Sequence, residues 1–169
     1  MNETVTDQTM NHTLFLHVET NVFDESGFPV SIAWSMPDTR IKSVLIIPED
    51  EWLDDLDDQA SPRNLDLENL YNQGASAIDI VREIERDLDG HYVYLTDSAN
   101  QEALLEKLFD AAGADLPFEP QPAGDLFHLS EGELLRELDR IQLENHLDRQ
   151  SSHDSVMALL FLARERGEI

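Results

Sequence analysis

The amino-acid sequence predicts a mixed α/β domain: a three-stranded meander, then crossover strands, with helices flanking a central sheet. Three observations predict it. Short apolar runs bounded by turn residues crowd the first fifty positions. Capped amphipathic helical patterns fill most of the remainder. One further apolar run, His91 to Leu95, falls between two of those helical patterns, as a crossover strand does.

Taken in order, Leu14 to Glu19 is the first strand. It is mostly apolar, which suits a central strand buried on both faces. Asp24-Glu25-Ser26-Gly27 signals a turn. Val30 to Ser35 and Lys42 to Ile47 form two more strands, with Pro37-Asp38-Thr39 as the hairpin loop and Pro48 as the stop. Glu49 to Asp58 is a dense acidic segment. It lacks the Asp-x-Asp-x-Asp-Gly order of an EF-hand and reads as a solvated loop anchored by Trp52.

Asn64 to Asn72 predicts a short helix ended by Gly74. Ser76 N-caps the next helix, with Asp79 at the capping-box position and Ile78, Val81, Ile84 and Leu88 on one face. After the strand at His91 to Leu95, Ser98-Ala99-Asn100-Gln101 opens a helix carrying Leu104, Leu105, Leu108 and Phe109, which Gly113 ends. Asp115 to Gly124 is a Pro-rich loop. Ser130 with Glu133 caps a long helix through Leu134, Leu138 and Ile141, and a last helix runs from about Ser152 to Arg166. Residues 1–12 read as a flexible tail and residues 13–169 as one domain.

Composition narrows the function classes. Thirty-six acidic residues face eleven basic ones, a formal net charge of −25, and the only lysines are Lys42 and Lys107. Such a surface repels phosphate backbones, so nucleic-acid binding is expected to be weak at most. A salt-adapted host and a functional need for acidity both remain open as its origin. With no cysteine there is no disulfide, thiolate metal site or Cys nucleophile. The longest apolar stretch, Met157 to Ala163, is too short to span a bilayer, and Met1 to Asn11 lacks signal-peptide order. The expected setting is soluble and cytoplasmic, away from membranes. Ser151, Ser152 and Ser155 near His153 and Asp154 offer hydrolase residue types, but there is no Gly-x-Ser-x-Gly elbow.

Several segments together resemble a small bacterial group within the DEDDh-type 3′–5′ exonucleases. They are Leu14-Phe15-Leu16-His17-Val18-Glu19, Phe28-Pro29-Val30-Ser31-Ile32-Ala33-Trp34, Pro48-Glu49-Asp50-Glu51-Trp52, Val93-Tyr94 with Asp97-Ser98, the run Leu104 to Gly113, and Ser152-His153-Asp154. The resemblance implies a ribonuclease H-like fold. It also implies an active site of four carboxylates around two divalent ions, with a histidine as general base.

Carried over position by position, the first-strand pair becomes His17 and Glu19, the second-motif aspartate becomes Gln101, the histidine is His153, and the last aspartate becomes Ala158. Glu19 and His153 survive; His17, Gln101 and Ala158 occupy lost carboxylate positions. Asp97 and Asp154 lie near enough to substitute as ligands. His17 has two open readings: a core-facing residue at a strand end, or one member of a His/Glu/His metal set with Glu19 and His153.

Two functional readings follow from the resemblance. In the first, the domain is a catalytically degenerate exonuclease-like module with a vestigial nucleotide cleft, no cofactor, and a protein partner or nucleotide as ligand. In the second, it is an active 3′–5′ exonuclease using Mg or Mn through a rearranged ligand set. The expected site is one cleft containing Glu19, Gln101, His153 and Ala158, with His17 at its rim or floor.

Overall fold

The computed structural model of the chain describes residues 13–21, 27–54 and 66–169. The predicted tail at residues 1–12, the turn at Asp24 to Ser26, residues 55–58 of the acidic segment and the helix start at Asn64 lie outside the described residues.

Five strands form one mixed sheet: β1 (Leu14–Thr20), β2 (Pro29–Ser35), β3 (Ile41–Leu45), β4 (Tyr92–Leu95) and β5 (Glu119–Pro122), in the order β3-β2-β1-β4-β5. The first three strands pair antiparallel; β4 joins β1 in parallel, and β5 joins β4 in parallel. The helices are α1 (Asp50–Asp54), α2 (Leu67–Gln73), α3 (Ala77–Leu88), α4 (Ser98–Ala111), α5 (Ala123–Phe127), α6 (Glu131–Glu144) and α7 (Ser152–Glu165). Among the described residues no helix is long and apolar enough to cross a membrane.

The apolar run of β1 has the consequence its sequence implies. Alternate side chains enter different cores, because successive strand residues point to opposite faces. Leu14, Leu16 and Val18 pack with Ile32 and Trp34 against Ile80, Ile84 and Leu88 of α3 and Leu105, Leu108 and Phe109 of α4. Phe15 and Ala33 face the other way, onto Leu134 and Ile141 of α6 and Val156, Leu159 and Ala163 of α7. Phe127 of α5 stacks on Phe15 with ring centroids 6.2 Å apart.

The cap signals are real. Ser76 Oγ accepts from the Asp79 N–H, and Ser130 and Glu133 form a reciprocal capping box. Four details differ from expectation. The α3 face is Ala77, Ile80, Val81, Ile84 and Leu88, while Ile78 is exposed. The α4 N-cap is Asp97 rather than Ser98, in a left-handed conformation with φ 43° and no side-chain cap bond. The acidic segment is helical at Asp50–Asp54, though Trp52 does anchor it, stacked on Phe28 at 5.9 Å. The Pro-rich stretch is not wholly loop. Glu119–Pro122 is the edge strand β5, where prolines are tolerated because the outward side of an edge needs no ladder donor.

A closed polar cluster ties α3 to the sheet. Trp34 and Lys42 are cross-strand neighbours on β2 and β3. Asp87 Oδ2 accepts from Trp34 Nε1 at 3.0 Å and from Lys42 Nζ at 2.7 Å, and Lys42 also reaches Glu83 at 3.0 Å. Burial raises the Asp87 pKa, but the hydrogen bonds from Lys42 and Trp34 and the Lys42 charge outweigh it, leaving the carboxyl below its ordinary value. The Lys42 ammonium is held above its ordinary value, chiefly by its bond to Asp87.

Candidate functional site

The parallel strand β4 ends while β1 runs on, and a cavity of about 800 Å³ opens beyond the carboxyl end of β4 and alongside the last residues of β1. In sheets of this kind that is where ligands bind, because the chain turns away and leaves a crevice. Its wall includes His17, Val18 and Glu19 from β1, Thr96 and Asp97 after β4, and Asn100, Gln101, Leu104 and Lys107 from α4. Leu135, Leu138, Asp139 and Gln142 of α6 face them, with Arg149, Gln150 and Ser155 beyond.

His17 and Glu19 are two apart on one strand, so their side chains share a face. His17 Nε2 lies 2.7 Å from Glu19 Oε1. The other ring nitrogen, Nδ1, is buried without a hydrogen-bond partner. The expected backbone hydrogen bond of a core histidine is therefore replaced by a carboxylate contact at the cavity wall.

Gln101 is buried, and each end of its amide is bonded. The Val18 N–H donates to Gln101 Oε1 at 2.7 Å, and Gln101 Nε2 donates to the Val18 carbonyl at 2.9 Å. The reason lies in the sheet. The β1–β4 pairing stops at Phe15 opposite Tyr94, three residues before Val18, which would need a partner. The side-chain amide acts as one extra strand residue and satisfies a backbone pair that burial would otherwise penalise.

Asp97 reaches the cavity wall through its left-handed backbone. Its N–H donates to Glu131 Oε1 at 2.7 Å, and its carboxylate accepts from Asn100 Nδ2 at 2.7 Å. A non-glycine residue held at positive φ beside a cleft is an expense in strain that the surrounding bonds must offset.

The structure thus brings His17, Glu19, Asp97 and Gln101 to one cavity. From α7 the wall takes Ser155, and His153, Asp154 and Ala158 are not among its lining residues. His153 Nδ1 sits 3.1 Å from Asp154 Oδ1. Asp154 fixes the α6–α7 loop by accepting from the Asp148 N–H at 2.8 Å, a bond that also holds its pKa below the usual carboxylate range. Ala158 is wholly buried in the α6–α7 core. Among the described residues, no three His, Asp or Glu side chains come close enough to hold a metal ion. The residues do not fit a pair of divalent ions, nor a His/Glu/His set.

Lys107, Asp139, Gln142 and Arg149 were not legible as site residues. Nothing in their sequence neighbourhoods distinguishes them from ordinary helix-surface or loop positions. Only the packing of α4 and α6 across the end of β1 brings them to the cavity.

The fold and site define a mixed α/β domain with a five-stranded mixed sheet, flanking helices and a crevice at the strand ends. No protein-family model and no curated protein matches the chain. Solved structures do. One similar chain belongs to a crystal structure of SSB/Exonuclease I in complex with the inhibitor CFAM. It is 10% identical, with a TM-score of 0.58, and the match covers 93% of this chain and 42% of that one. Another belongs to the structure of the yeast NOT1 MIF4G domain co-crystallised with CAF1. It is 11% identical, with a TM-score of 0.56, covering 97% of this chain and 86% of that one. At such identities the likeness concerns the fold. The chain spans less than half the length of the exonuclease I match.

Proposed function

We propose that this chain is a catalytically degenerate 3′–5′ exonuclease-like domain with a ribonuclease H-like fold, acting as a binding module through its strand-end cleft. The fold half of the reading is supported by the strand order, with an antiparallel meander followed by two parallel strands, and by the likeness to an exonuclease I structure. The functional half rests above all on Gln101. Its position corresponds, through the family resemblance, to a metal-binding aspartate, yet both ends of its amide are bonded to the Val18 backbone. Its oxygen is engaged by the Val18 N–H, and as a neutral amide it brings no charge to an ion. Ala158, corresponding to another ligand, is enclosed in the core, where an aspartate would bury an uncompensated charge at about 3–5 kcal/mol. The ligand of the cleft is then a nucleotide or a protein segment, held without phosphodiester cleavage.

A second reading has one observation in its favour: Asp97 lines the cavity with Glu19. A working exonuclease could draw Mg or Mn through those two carboxylates. The discriminating experiment pairs calorimetric titration of Mn²⁺ with an assay on 3′-labelled single-stranded DNA. The degenerate reading expects neither ion binding nor shortening from the 3′ end. It expects His17→Asp with Gln101→Asp to gain measurable Mn²⁺ affinity. Cleavage by the unaltered chain, abolished by Glu19→Ala, would establish the second reading instead.

A further inference from the structure

The cleft is a groove rather than a closed pocket. Along one side α4 runs from Asp97 to Lys107, about 15 Å at the helical rise, with Leu104 half-buried at its middle. Along the other side α6 presents Leu138 and Leu135, and Leu135 remains 48% exposed. Val18 lies between them. One end is tied by the bond between the Asp97 N–H and Glu131 at the start of α6. Val18 and Leu138 are buried, so the open apolar surface is that of Leu104 on one side and Leu135 on the other, a pair that suits a short amphipathic segment lying between two helices.

The charges select among segments. Among the described residues, Asp97 and Glu131 have no cationic side-chain partner, and Glu19 has only His17. Arg149 is already paired with Asp139 at 3.4 Å, and Lys107 donates to the Gly27 carbonyl at 2.9 Å. A polyanion entering here meets Glu19 and Asp97 in the wall and Glu131 beside its end, within a chain of net charge −25. A polycation meets acceptors with spare lone pairs.

We propose that the groove between α4 and α6 receives a basic amphipathic peptide segment of a partner protein, its leucine-type side chains on Leu104 and Leu135 and its Lys or Arg side chains on Glu19 and Asp97 in the wall and Glu131 at the end. This rests on the cleft being a binding site, as proposed above, and adds the chemistry of the occupant.

The test is fluorescence anisotropy on the full chain with three labelled probes. The first is a peptide of about ten residues, the helical length that spans the groove, with leucine at i, i+3 and i+7 and lysine elsewhere. The second replaces its leucines by serine. The third is a single-stranded DNA oligonucleotide. The first probe is expected to saturate at one site per chain. The serine probe and the exposed-position variant Leu135→Asn should each weaken binding by about tenfold, as loss of an apolar anchor does. Asp97→Asn with Glu131→Gln should weaken it too, whereas Glu51→Gln with Asp110→Asn, which removes the same charge outside the groove, should not. Equal loss from both charge pairs, with no effect of Leu135→Asn, would reduce the binding to bulk attraction and overturn the proposal. Oligonucleotide binding that Leu135→Asn abolishes would overturn the peptide while keeping the cleft. Indifference of every probe to Leu135→Asn would remove the cleft reading as well.

Discussion

Two polar clusters sit on this sheet, and they are built to opposite specifications. Around Asp87, both strands and α3 contribute, and the carboxylate is nearly enclosed, with Trp34 and Lys42 donating to one oxygen. Around Glu19 the partners come from β1 itself, one ring nitrogen of His17 is left without a bond, and a cavity adjoins. The first cluster closes a gap between elements. The second leaves capacity unused at the ends of parallel strands. A buried polar network that is fully satisfied rigidifies a fold, whereas spare acceptors next to a cavity are available to a ligand.

The contrast can be broken by substitution. Asp87→Ala should have the largest effect on stability, about 2–3 kcal/mol, since it leaves the buried Trp34 N–H without an acceptor and removes one of the two carboxylate partners of the half-buried Lys42 ammonium. Chemical denaturation measures it; a loss under 1 kcal/mol would mean the cluster is not a clamp. The same cluster sets a pH dependence. The Asp87 pKa is lowered by folding, so its contribution is present above the unfolded carboxyl value near 4 and is lost as pH falls below it. The Lys42 pKa is raised, so its share persists below about pH 10 and is lost above. In Asp87→Ala the acid-side slope should shrink.

Gln101→Ala comes next, at about 1–3 kcal/mol, because two backbone groups of Val18 lose their partners. It sharpens the comparison, since the cost would show that the cleft floor is structural even where its rim is open. Gln101→Glu should be worse than a neutral swap at neutral pH, as a carboxylate cannot donate to the Val18 carbonyl.

Added NaCl should raise the melting temperature of the whole chain. A net charge of −25 repels itself over the ~8 Å that physiological salt leaves unscreened. That repulsion comes from the whole surface and not from one pair, so Asp87→Ala should respond to salt as the parent does. A melting temperature that falls or stays fixed in molar NaCl would show that the acidic surface is not self-repulsive.

The smallest effect is expected for Glu19→Gln, below about 1 kcal/mol, since a neutral amide of the same shape can still hydrogen-bond His17 at the cavity wall. A large destabilisation by thermal melting would place Glu19 with Asp87 as a structural group and erase the distinction between the two regions.

Much of the fold is legible in the sequence. Apolar runs, capping residues and turn signals depend on neighbours a few positions away, so the β1–β3 meander, β4 and the caps of α3 and α6 could be read from the chain. His17, Glu19, Asp97 and Gln101, expected at one cleft from the resemblance of their segments to exonuclease motifs, do line one cavity, whereas His153 and Ala158, expected on the same ground, do not. The strand β5 was not, because Pro120 and Pro122 contradict strand propensity and only an edge position excuses them. Nor were the fates of individual side chains. The same Gln101 could face an ion or a strand, and the early end of β4 beside Val18 turns it to the backbone. Ala158 and Ser155 lie one turn apart on α7, and the packing angle of that helix puts one in the core and the other at the cleft. Local chemistry fixes which elements form, since it acts through short-range hydrogen bonds and periodicity. Which side chains meet across 80 or more positions is decided when the sheet and helices pack, because only then are unpaired backbone groups and open volume defined.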